Sequence, residues 1–447
     1  MPAVHWEPVE LAGWGRTARA RTLACGPRDA AAAAAALAEA NGSTILPHGA
    51  GRSYGDVALN SGGRALLTGG LNRILDFDAA SGEVVCEAGV TFCDLMEAFL
   101  PRGYLFPVSP GTAFTTMGGA VANDVHGKNH ERAGSFGDHV IWLDLALASG
   151  EVRRVCPRTD PDLFAATIGG IGLTGLILRV CFCLQAVPSA SVEVQERRIA
   201  DLDGFLAAFA ECRSRSTFSV GWIDAMARGR HLGRGILETA EPAATDSAPP
   251  SAVRQRIVPF DFPSGVLNPL SIRLFNELYY RRVPATGRRR TLPIRKFLYP
   301  LDALGHWNRI YGRRGFYQFQ CVIPDRAAAA GITALLEAIA RARGGSFLAV
   351  LKTLGEGGPG HLSFPEPGCT LAMDFPRSSA VPKLLHELER ITLKHAGRVY
   401  LAKDALLSAA GFGAMYPRLG AFRAVLERVD PNRRFASDMA RRLRIRS

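Results

Sequence analysis

Two glycine-rich segments in the first third of the chain constrain the fold more than any other feature. The first runs from Pro47 to Asp56 and follows the apolar run 43–47, which predicts a strand. Backbone N–H groups at glycines can surround a phosphate, and Arg52 and Ser53 would add a charge and a hydroxyl. The segment is therefore consistent with a phosphate-binding loop, with a simple glycine-rich hairpin as the alternative.

The second segment, 109–130, joins small residues to a dense group of polar ones. Gly118 and Gly119 would let a flat ring or a phosphate approach closely, and His126 and Lys128 follow within a few residues. A lone histidine is more often structural than catalytic. In this setting, however, the functional interpretation of His126 is favoured.

A third glycine motif, from Gly170 to Gly175, matches the G-x-G-x-x-G pattern of dinucleotide-binding sites. That fingerprint requires a strand before it and a helix after it. Here the order is reversed, because a helix pattern at 160–166 precedes the motif and a strand pattern at 176–182 follows it. We therefore predict a helix–turn–strand corner instead of a Rossmann site.

The length of the chain, 447 residues, exceeds the roughly 250–300 at which a single core stops growing, and therefore predicts two domains. In the first third the pattern predicts helices at 29–40 and 91–100 and strands at 66–75, 82–88 and 142–147. From residue 192 it predicts a largely antiparallel sheet with strands at 192–198, 219–224, 316–323, 346–353 and 370–375. Helices are predicted between these strands at 200–213, 325–343 and 381–396.

Composition excludes several classes of protein. Hydrophobic residues make up 47% and charged residues 21% of the chain, which excludes a disordered protein. The nine cysteines are scattered without a C-x-x-C motif, so neither a disulfide framework nor a metal site is indicated. No apolar run reaches the ~20 residues of a membrane span, and no signal-peptide pattern is present, so we expect a cytoplasmic protein. The net charge of +12 raises nucleic acid as a partner, but arginine predominates throughout the chain, and coding bias weakens that inference.

Two segments of the second half have unusual compositions. Glu238 to Val253 is rich in alanine, proline and acidic residues without periodicity, and we predict a mobile loop there. Arg281 to Lys296 is densely basic. It is either a solvated surface or a landing patch for phosphate or anionic lipid, and both interpretations stay open.

Together, the two glycine-rich segments resemble those of FAD-dependent oxidoreductases of the vanillyl-alcohol oxidase type. The likeness covers nearly the whole chain and includes the segments 275–280, 307–309, 318–320, 400–404 and 435–443. Within that family the chain is similar to the members that act on a polyprenyl-phosphate-linked ribose. The resemblance implies an α+β, two-domain FAD-binding fold with an antiparallel-sheet substrate domain. Residues 1–190 and 398–447 would bind FAD, and residues 191–397 would bind the substrate.

The resemblance also implies which residues contact the cofactor. These are Gly49, Ala50, Gly51, Arg52, Ser53, Tyr54, Gly55, Asp56, Gly111, Thr116, Met117, Gly118, Gly119, Asn123, His126, Ile177 and Tyr400. Relatives with covalently attached flavin often have a histidine just after the second glycine of the first segment, where this chain has Arg52. We therefore expect FAD to be bound without a covalent bond.

The implied reaction is oxidation of the 2-hydroxyl of the ribose to a 2-keto sugar, the first half of an epimerisation to the arabinose form. Lys403, His126 and Lys352 would be catalytic. The substrate would be bound by Lys128, Gln318, Gln320, Lys352, Thr370, Ala372 and Lys403. An NADH-dependent short-chain reductase would complete the epimerisation. We expect peripheral contact with the inner face of the cell membrane and no contact with nucleic acid.

The chain departs from the family pattern in its substrate pocket. The family commonly has asparagine at the position of Thr370, cysteine at that of Ala372 and tyrosine at that of Leu298. Because side chains alternate along a strand, Cys369 should face away from the pocket, which would then lack a reactive thiol. Two alternatives follow: an FAD-dependent oxidase of a soluble sugar, alditol or aldonolactone, or a protein that binds nucleic acid or lipid on an inactive flavin fold.

Overall fold

The computed structural model describes residues 4–40, 42–213, 215–245, 255–263, 265–342, 344 and 346–446. We refer to the residues up to 190 as the amino-terminal unit, to residues 191–397 as the central unit and to the rest as the carboxyl-terminal segment, following the predicted division. Helices and antiparallel sheets are combined in both units, so the predicted α+β class is confirmed.

A four-stranded sheet opens the amino-terminal unit. Across the sheet its strands are Glu7–Ala12, Arg19–Cys25, Arg64–Leu67 and Ile45–His48. The first pair is antiparallel and the other pairs are parallel. The predicted helix forms at Ala30–Glu39, where the Asp29 carboxylate accepts the Ala32 N–H at 2.8 Å. This helix is the crossover that makes the following strand parallel, and that strand ends at the first glycine-rich segment.

A five-stranded antiparallel sheet follows in the same unit. Its strands in order are Ile74–Phe77, Glu83–Glu87, Leu176–Cys183, Val140–Ala146 and Val152–Val155. The helix Phe92–Phe99 begins at a capping box formed by Thr91 and Asp94. The prediction of one strand at 66–75 is wrong, because a turn at Thr68–Gly70 divides the segment between the two sheets. The short helices are Met117–Ala122, His130–Ala133 and Pro161–Thr167.

The third glycine motif is the predicted corner. The helix Pro161–Thr167 ends before it, and the strand Leu176–Cys183 begins after it. Within the corner Gly172 has φ +77° and Gly175 has φ +156°, backbone conformations that residues with side chains rarely adopt. The rejection of a Rossmann site at this motif is therefore confirmed.

An eight-stranded antiparallel sheet dominates the central unit. Its strands in order are Arg288–Pro293, Ser191–Ile199, Gly235–Pro242, Phe218–Ile223, Ala349–Leu354, Gly368–Pro376, Phe316–Pro324 and Arg398–Val399. Three helices pack on this unit, Leu202–Cys212, Ala328–Ala342 and Val381–Lys394. All five strands and three helices predicted here are present, with ends shifted by at most three residues. The helix Pro269–Arg281 lies between strands of this sheet in the sequence.

Two segments of the central unit differ from their predictions. The first part of the predicted mobile loop, up to Pro242, belongs to the strand Gly235–Pro242, which pairs on both sides. Residues 246–253 of that loop lie outside the described residues. The basic segment contains the edge strand Arg288–Pro293, which sequence patterning did not indicate. Its three consecutive arginines, 288–290, gave the segment the pattern of a charged surface run.

The carboxyl-terminal segment returns the chain to the amino-terminal unit. Its helices are Ala409–Met415, Leu419–Val429 and Asp438–Arg442. Phe435 forms a parallel bridge with Ile45, and the Asp438 carboxylate accepts the Ser61 hydroxyl at 2.8 Å. The helix Leu419–Val429 contacts the helix Pro161–Thr167. These contacts support the predicted division at residues 190 and 397, which stays a prediction. Within the described part of the chain, no helix is both long and apolar enough to cross a membrane.

Candidate active site

A cavity of about 430 Å³ lies between the amino-terminal unit and the eight-stranded sheet. Both glycine-rich segments, the corner at 171–177, the central strands and the segment 400–403 contribute to its lining. The predicted site residues that line it are Gly49, Ala50, Gly51, Arg52, Ser53, Tyr54, Gly111, Thr116, Gly118, Gly119, Asn123, His126, Lys128, Ile177, Gln318, Gln320, Lys352, Ala372, Tyr400 and Lys403. The fold thus brings into one cavity residues that are up to 354 positions apart in the sequence.

Gly55 and Asp56, predicted to contact the cofactor, lie outside the lining. Gly55 packs against the backbone carbonyl of Asp404, where a Cβ atom would not fit. The Asp56 carboxylate receives two hydrogen bonds from Arg442, at 2.7 and 2.8 Å. Both residues therefore fasten the first glycine-rich segment to the carboxyl-terminal segment.

Met117 and Thr370 also lie outside the lining. Met117 is fully buried in the hydrophobic core, at the start of its short helix. The Thr370 hydroxyl donates to the carbonyl of Cys321 at 2.8 Å and accepts from the Gln320 amide at 3.3 Å. Thr370 is thus placed behind Gln320 and contacts the cavity through it.

The two glycine-rich segments lie against each other. A Cβ atom on Gly49 would come within 2.7 Å of the Thr116 hydroxyl, so only glycine permits this approach. Thr116 caps the helix Met117–Ala122 by accepting the Gly119 N–H at 3.2 Å. The result is a wall of backbone and small side chains along the cavity.

Arg52 is held in the cavity wall by aromatic rings. The centre of its guanidinium lies 4.4 Å from the centre of the Trp14 ring and 5.0 Å from that of Phe114. Its Nε atom is buried and has no hydrogen-bond partner among the described residues. Burial lowers the pKa of Arg52, and the nearby Asp302 carboxylate opposes that effect. The guanidinium therefore stays a cation that is available to a bound anion.

His126 lies between the two walls of the cavity. Its Nε2 atom is 3.0 Å from the Gln320 amide nitrogen, and its ring packs at 5.1 Å from Tyr400 and 5.3 Å from Phe364. Burial, with Lys352, His130 and Lys403 nearby, holds the pKa of His126 well below its usual range. The neutral ring accepts the Gln320 amide at Nε2, which assigns its proton to Nδ1. That Nδ1 atom is buried without a partner in the described chain.

Three of the six lysines of the chain converge on the cavity: Lys128, Lys352 and Lys403. The Lys352 ammonium donates to the Gly127 carbonyl at 3.5 Å, and that of Lys403 lies 4.0 Å from the Tyr54 ring centre. Burial lowers the pKa of Lys352 to about 7, and the like charges of the other two lysines add to the effect. Burial lowers the pKa of Lys403 to about 8, although the Asp374 carboxylate favours its charged form. The pKa of Lys128 is also lowered to about 8 by burial.

Asp374 supports this cluster, and the sequence predictions did not include it. Its carboxylate accepts the Gln318 amide at 2.6 Å and the Tyr311 hydroxyl at 2.9 Å. Burial raises its pKa to about 7, while these hydrogen bonds favour the ionised form. Gln318, predicted to bind substrate, therefore also orients the counter-charge of Lys403. An acidic residue inside an otherwise apolar strand is the signal that would have revealed Asp374.

Aromatic residues of the central unit complete the lining and were also missed. Trp222 and Tyr279 pack with ring centres 4.7 Å apart at the cavity, and Trp307 lines it near the first glycine-rich segment. Tyr279 belongs to the helix Pro269–Arg281. Their positions follow from long-range packing, which local sequence patterns do not encode.

The lining fits a flavin dinucleotide. Three buried polar atoms on it lack partners in the described chain: Arg52 Nε, Asn123 Oδ1 and His126 Nδ1. Around Gly111 no protein atom lies within 4 Å of a would-be Cβ, so the cavity reaches the backbone of the second segment. The Arg52 guanidinium and the glycine-rich backbone suit a pyrophosphate, and hydrogen-bond donors beside an apolar wall suit a flavin ring.

Comparison with known proteins agrees with this interpretation. Residues 20–155 match the family model of an FAD binding domain. Residues 370–443, which include Asp374 and Lys403, match the model of D-arabinono-1,4-lactone oxidase.

Relatives extend the match to the rest of the chain. The chain is 39% identical to the decaprenylphosphoryl-β-D-ribose oxidase of Mycolicibacterium smegmatis over 450 aligned positions, which cover 97% of each protein. It is 34% identical to an uncharacterised protein of Streptomyces coelicolor, over 79% of this chain and the whole of that protein. The L-gulonolactone oxidase of Mus musculus is 29% identical over 34% of each chain.

Proposed function

This chain belongs to the family of decaprenylphosphoryl-β-D-ribose oxidases, and on that basis we propose that it oxidises the 2-hydroxyl of a polyprenyl-phosphate-linked ribose to a 2-keto sugar. It is an FAD-dependent oxidoreductase with the two-domain FAD-binding fold that the sequence predicted. The observation that carries the proposal is the convergence of three lysines and both glycine-rich segments on one cavity.

The reaction sets two requirements for the protein. When bound, FAD accepts the hydrogen and the electron pair of the C2–H bond. The chain must then take the proton of the 2-hydroxyl and stabilise the negative charge that the cofactor gains. One group that is neutral at neutral pH and one that is positively charged meet these requirements together.

The surroundings of each lysine indicate which of them takes the proton and which stabilises the reduced cofactor. Lys352 has the lowest pKa of the three, about 7, so it is the first to become neutral and is our candidate for the proton acceptor. Lys403, whose charge the Asp374 carboxylate favours, is our candidate for the cation that stabilises the reduced cofactor. Lys128, which donates to the Phe297 carbonyl, would hold the substrate and lower the pKa of Lys352.

His126 contributes a hydrogen bond and does not take the proton. Its pKa lies too far below neutrality for an effective base, because a general base works best when its pKa is near the operating pH. The unpartnered Nδ1–H is instead available to the cofactor or the substrate, and Gln320 fixes the orientation of the ring.

FAD is bound without a covalent bond in this proposal. Arg52 occupies the position at which covalent relatives carry a histidine, and its guanidinium offers charge to the pyrophosphate. Denaturation in acid should therefore release the yellow colour into the supernatant. Colour that stays in the pellet would contradict non-covalent binding.

The proposed partners follow from the substrate. A 2-keto sugar becomes the epimer only when a reductase delivers hydrogen to its other face, and we assign that step to an NADH-dependent short-chain enzyme. The lipid carrier is embedded in a membrane, so the enzyme must meet its substrate at a membrane surface. We place it on the inner face as a peripheral protein.

The match of residues 370–443 to a lactone oxidase model favours one second candidate, an oxidase of a soluble sugar, alditol or aldonolactone. To distinguish the two, the purified holoenzyme is assayed with farnesyl-phosphoryl ribose, free ribose, xylitol and arabinonolactone, with a dye as electron acceptor. We expect kcat/KM to be at least 100-fold higher for the lipid-linked sugar, with a product lighter by two hydrogens. Equal or faster turnover of a soluble compound would favour the second candidate.

A further inference from the structure

The helix Pro269–Arg281 carries an apolar ridge that faces away from the protein. Leu270, Leu274 and Leu278 are 78%, 61% and 64% exposed, and their spacing of four residues places them on one side of the helix. Eight of the eleven large apolar side chains that are exposed in the described chain lie between residues 257 and 304. Such clustering on a soluble surface marks an interaction site, whereas single exposed leucines are ordinary.

The opposite side of the same helix is firmly attached to the protein. Ile272 is buried in the central unit, and the Asn276 amide donates to the Asp224 carboxylate at 2.7 Å. At the amino end the Asn268 side chain accepts two backbone N–H groups in a capping box. The ridge is therefore presented by a fixed helix.

Aromatic side chains connect the ridge to the cavity. The ring of Phe275, 42% exposed, stacks on that of Tyr279 at 5.6 Å, and Tyr279 in turn packs on Trp222. Tyr279 and Trp222 line the cavity. An apolar path thus leads from the ridge over the helix and into the proposed substrate site.

The surroundings of the ridge are positively charged. Arg273 is exposed and has no ion pair in the described chain, and Arg281 is 71% exposed although it pairs with Glu277 at 2.5 Å. Four arginines and two carboxylates, a net charge of +2, border the ridge: Arg228, Arg234, Arg273, Arg281, Asp224 and Glu277. This charge complements the anionic lipids of a cytoplasmic leaflet.

Most of the neighbouring basic segment, by contrast, is engaged inside the protein. Arg282 and Arg288 bind the fully buried Glu196 carboxylate at 2.7 and 2.6 Å, and Arg290 binds it at 3.1 Å. These ion pairs attach the edge strand to the sheet, so the three arginines are not free for lipid phosphates. The landing-patch interpretation is therefore not favoured for Arg282, Arg288 and Arg290, whereas Arg281, in the last turn of the ridge helix, stays exposed.

We propose that the leucine ridge, Leu270, Leu274 and Leu278, is the surface with which this enzyme docks on an anionic bilayer. Leucines on one side and arginines at the flanks are the pattern of a helix that lies in a membrane interface. From Leu270 to Leu278 the ridge spans about 12 Å at 1.5 Å per residue. In this orientation the cavity lies behind the docked helix. The orientation rests on the proposed function, because only a lipid-linked substrate needs an apolar path from the membrane to the cavity.

Vesicle binding tests the ridge separately from catalysis. The holoenzyme is sedimented with vesicles of phosphatidylcholine alone or mixed equally with phosphatidylglycerol, as wild type and as the triple variant L270S/L274S/L278S. The control is L23S/L75S/V152S, which removes three apolar side chains that are 40–47% exposed on the amino-terminal unit. We expect binding to the mixed vesicles, loss of at least tenfold in the ridge variant, and no loss in the control.

Charge and position are tested with further variants. Arg273→Gln with Arg281→Gln should weaken binding to mixed vesicles by roughly 25-fold, since each arginine near an anionic surface contributes about fivefold. The matched control is Arg158→Gln with Arg390→Gln, both exposed elsewhere. A tryptophan at Leu274 should be quenched by brominated lipid, whereas a tryptophan at Leu75 should not.

The possible outcomes distinguish a failure of the docking proposal from a failure of the proposed function. Ridge-dependent vesicle binding without turnover of farnesyl-phosphoryl ribose would support docking and contradict the proposed function. Turnover with unaltered vesicle binding in the ridge variant would overturn docking alone. A wild-type dimer that the ridge substitutions dissociate, with no vesicle binding, would also overturn it by assigning the ridge to a second copy of the chain.

Discussion

The two walls of the cavity work in opposite ways. The loop wall consists of the lining residues of the two glycine-rich segments, 47, 49–54, 109–112, 115, 116, 118 and 119, and presents mainly backbone and small side chains. The polar wall, formed by Gln318, Gln320, Lys352 and Lys403, presents charged and amide side chains. Cofactor binding at the loop wall depends on open space next to the backbone. The reaction at the polar wall depends on charged side chains that the fold has buried away from water. A larger side chain on the loop wall should therefore weaken cofactor binding, and removal of a charge from the polar wall should slow the reaction.

Removing a charge from the polar wall should have the largest effect. In Lys403→Met we expect kcat to fall by about 10³-fold, the scale at which a single stabilising group acts on a developing negative charge. The FAD content, measured from the visible spectrum, should stay at one per chain. The exposed Lys296→Met is the matched control and should retain wild-type kcat. Loss of FAD in Lys403→Met would assign this lysine to cofactor binding.

Added volume on the loop wall should have the next largest effect. Gly111 lines the cavity, and apart from its chain neighbours no described residue has an atom within 4 Å of its would-be Cβ, so Gly111→Leu adds volume at the cavity wall without a clash at Cβ. We expect FAD affinity, measured by titrating the apoprotein, to fall about 100-fold. The free energy of unfolding of the apoprotein should change by no more than about 0.5 kcal/mol, as it does for a surface substitution.

The control for this variant is Gly69→Leu, which also meets no protein atom within 4 Å but lies outside the cavity lining. It should bind FAD as the wild type does. Unchanged FAD affinity in Gly111→Leu would show that the second glycine-rich segment does not contact the cofactor.

A pH profile sharpens the assignment of the proton acceptor. Lys352 must be neutral to act, so kcat/KM should rise with pH through its pKa of about 7. The positive charge of Lys128 lowers that pKa, and its removal in Lys128→Met favours protonated Lys352. We therefore expect the rising limb to move to higher pH by up to about one unit, which lowers the neutral fraction of Lys352 at pH 7, and with it the activity, by about fivefold.

The exposed Lys383→Met, the control for that profile, should leave the limb in place. A limb near pH 7 that stays unchanged in Lys128→Met would exclude Lys352 as the titrating base. A limb well below the usual pH range of histidine would point to His126, whose pKa is held low by burial.

The smallest effect concerns a thiol. Ala372 lines the cavity, whereas Cys369 on the same strand is buried in the core, where burial holds the thiol pKa above its usual range. Ala372→Cys should therefore add one thiol that reacts with maleimide and is protected by substrate, with kcat within about threefold of wild type. A substrate-protected thiol in the wild-type protein would contradict this placement.

The glycine-rich segments of the loop wall stand out in the sequence, whereas their individual contacts with the cofactor were inferred from the family resemblance and stay a prediction. Glycine permits backbone conformations and close approaches that other residues do not, so a segment such as 47–54 indicates a possible binding site before any tertiary contact is known. Even there, Asp56 shows a limit. Its carboxylate binds Arg442, 386 residues away, and no local pattern indicates such a pairing.

The polar wall was predicted in part. Lys352 and Lys403 stood out because lysine is rare in this chain, but Asp374, Trp222 and Tyr279 did not. Their roles depend on strand register and on helix packing across the central unit, which are long-range properties. The strand Arg288–Pro293 was missed for the same reason, because Glu196 on the neighbouring strand balances its arginines.

The most direct test of the central claim is anaerobic mixing of the yellow holoenzyme with farnesyl-phosphoryl ribose while the visible flavin absorption is recorded. The account predicts rapid bleaching in the wild type, bleaching at least 100-fold slower in Lys403→Met, and no bleaching with free ribose. Bleaching by a soluble sugar or aldonolactone but not by the lipid-linked ribose would contradict it.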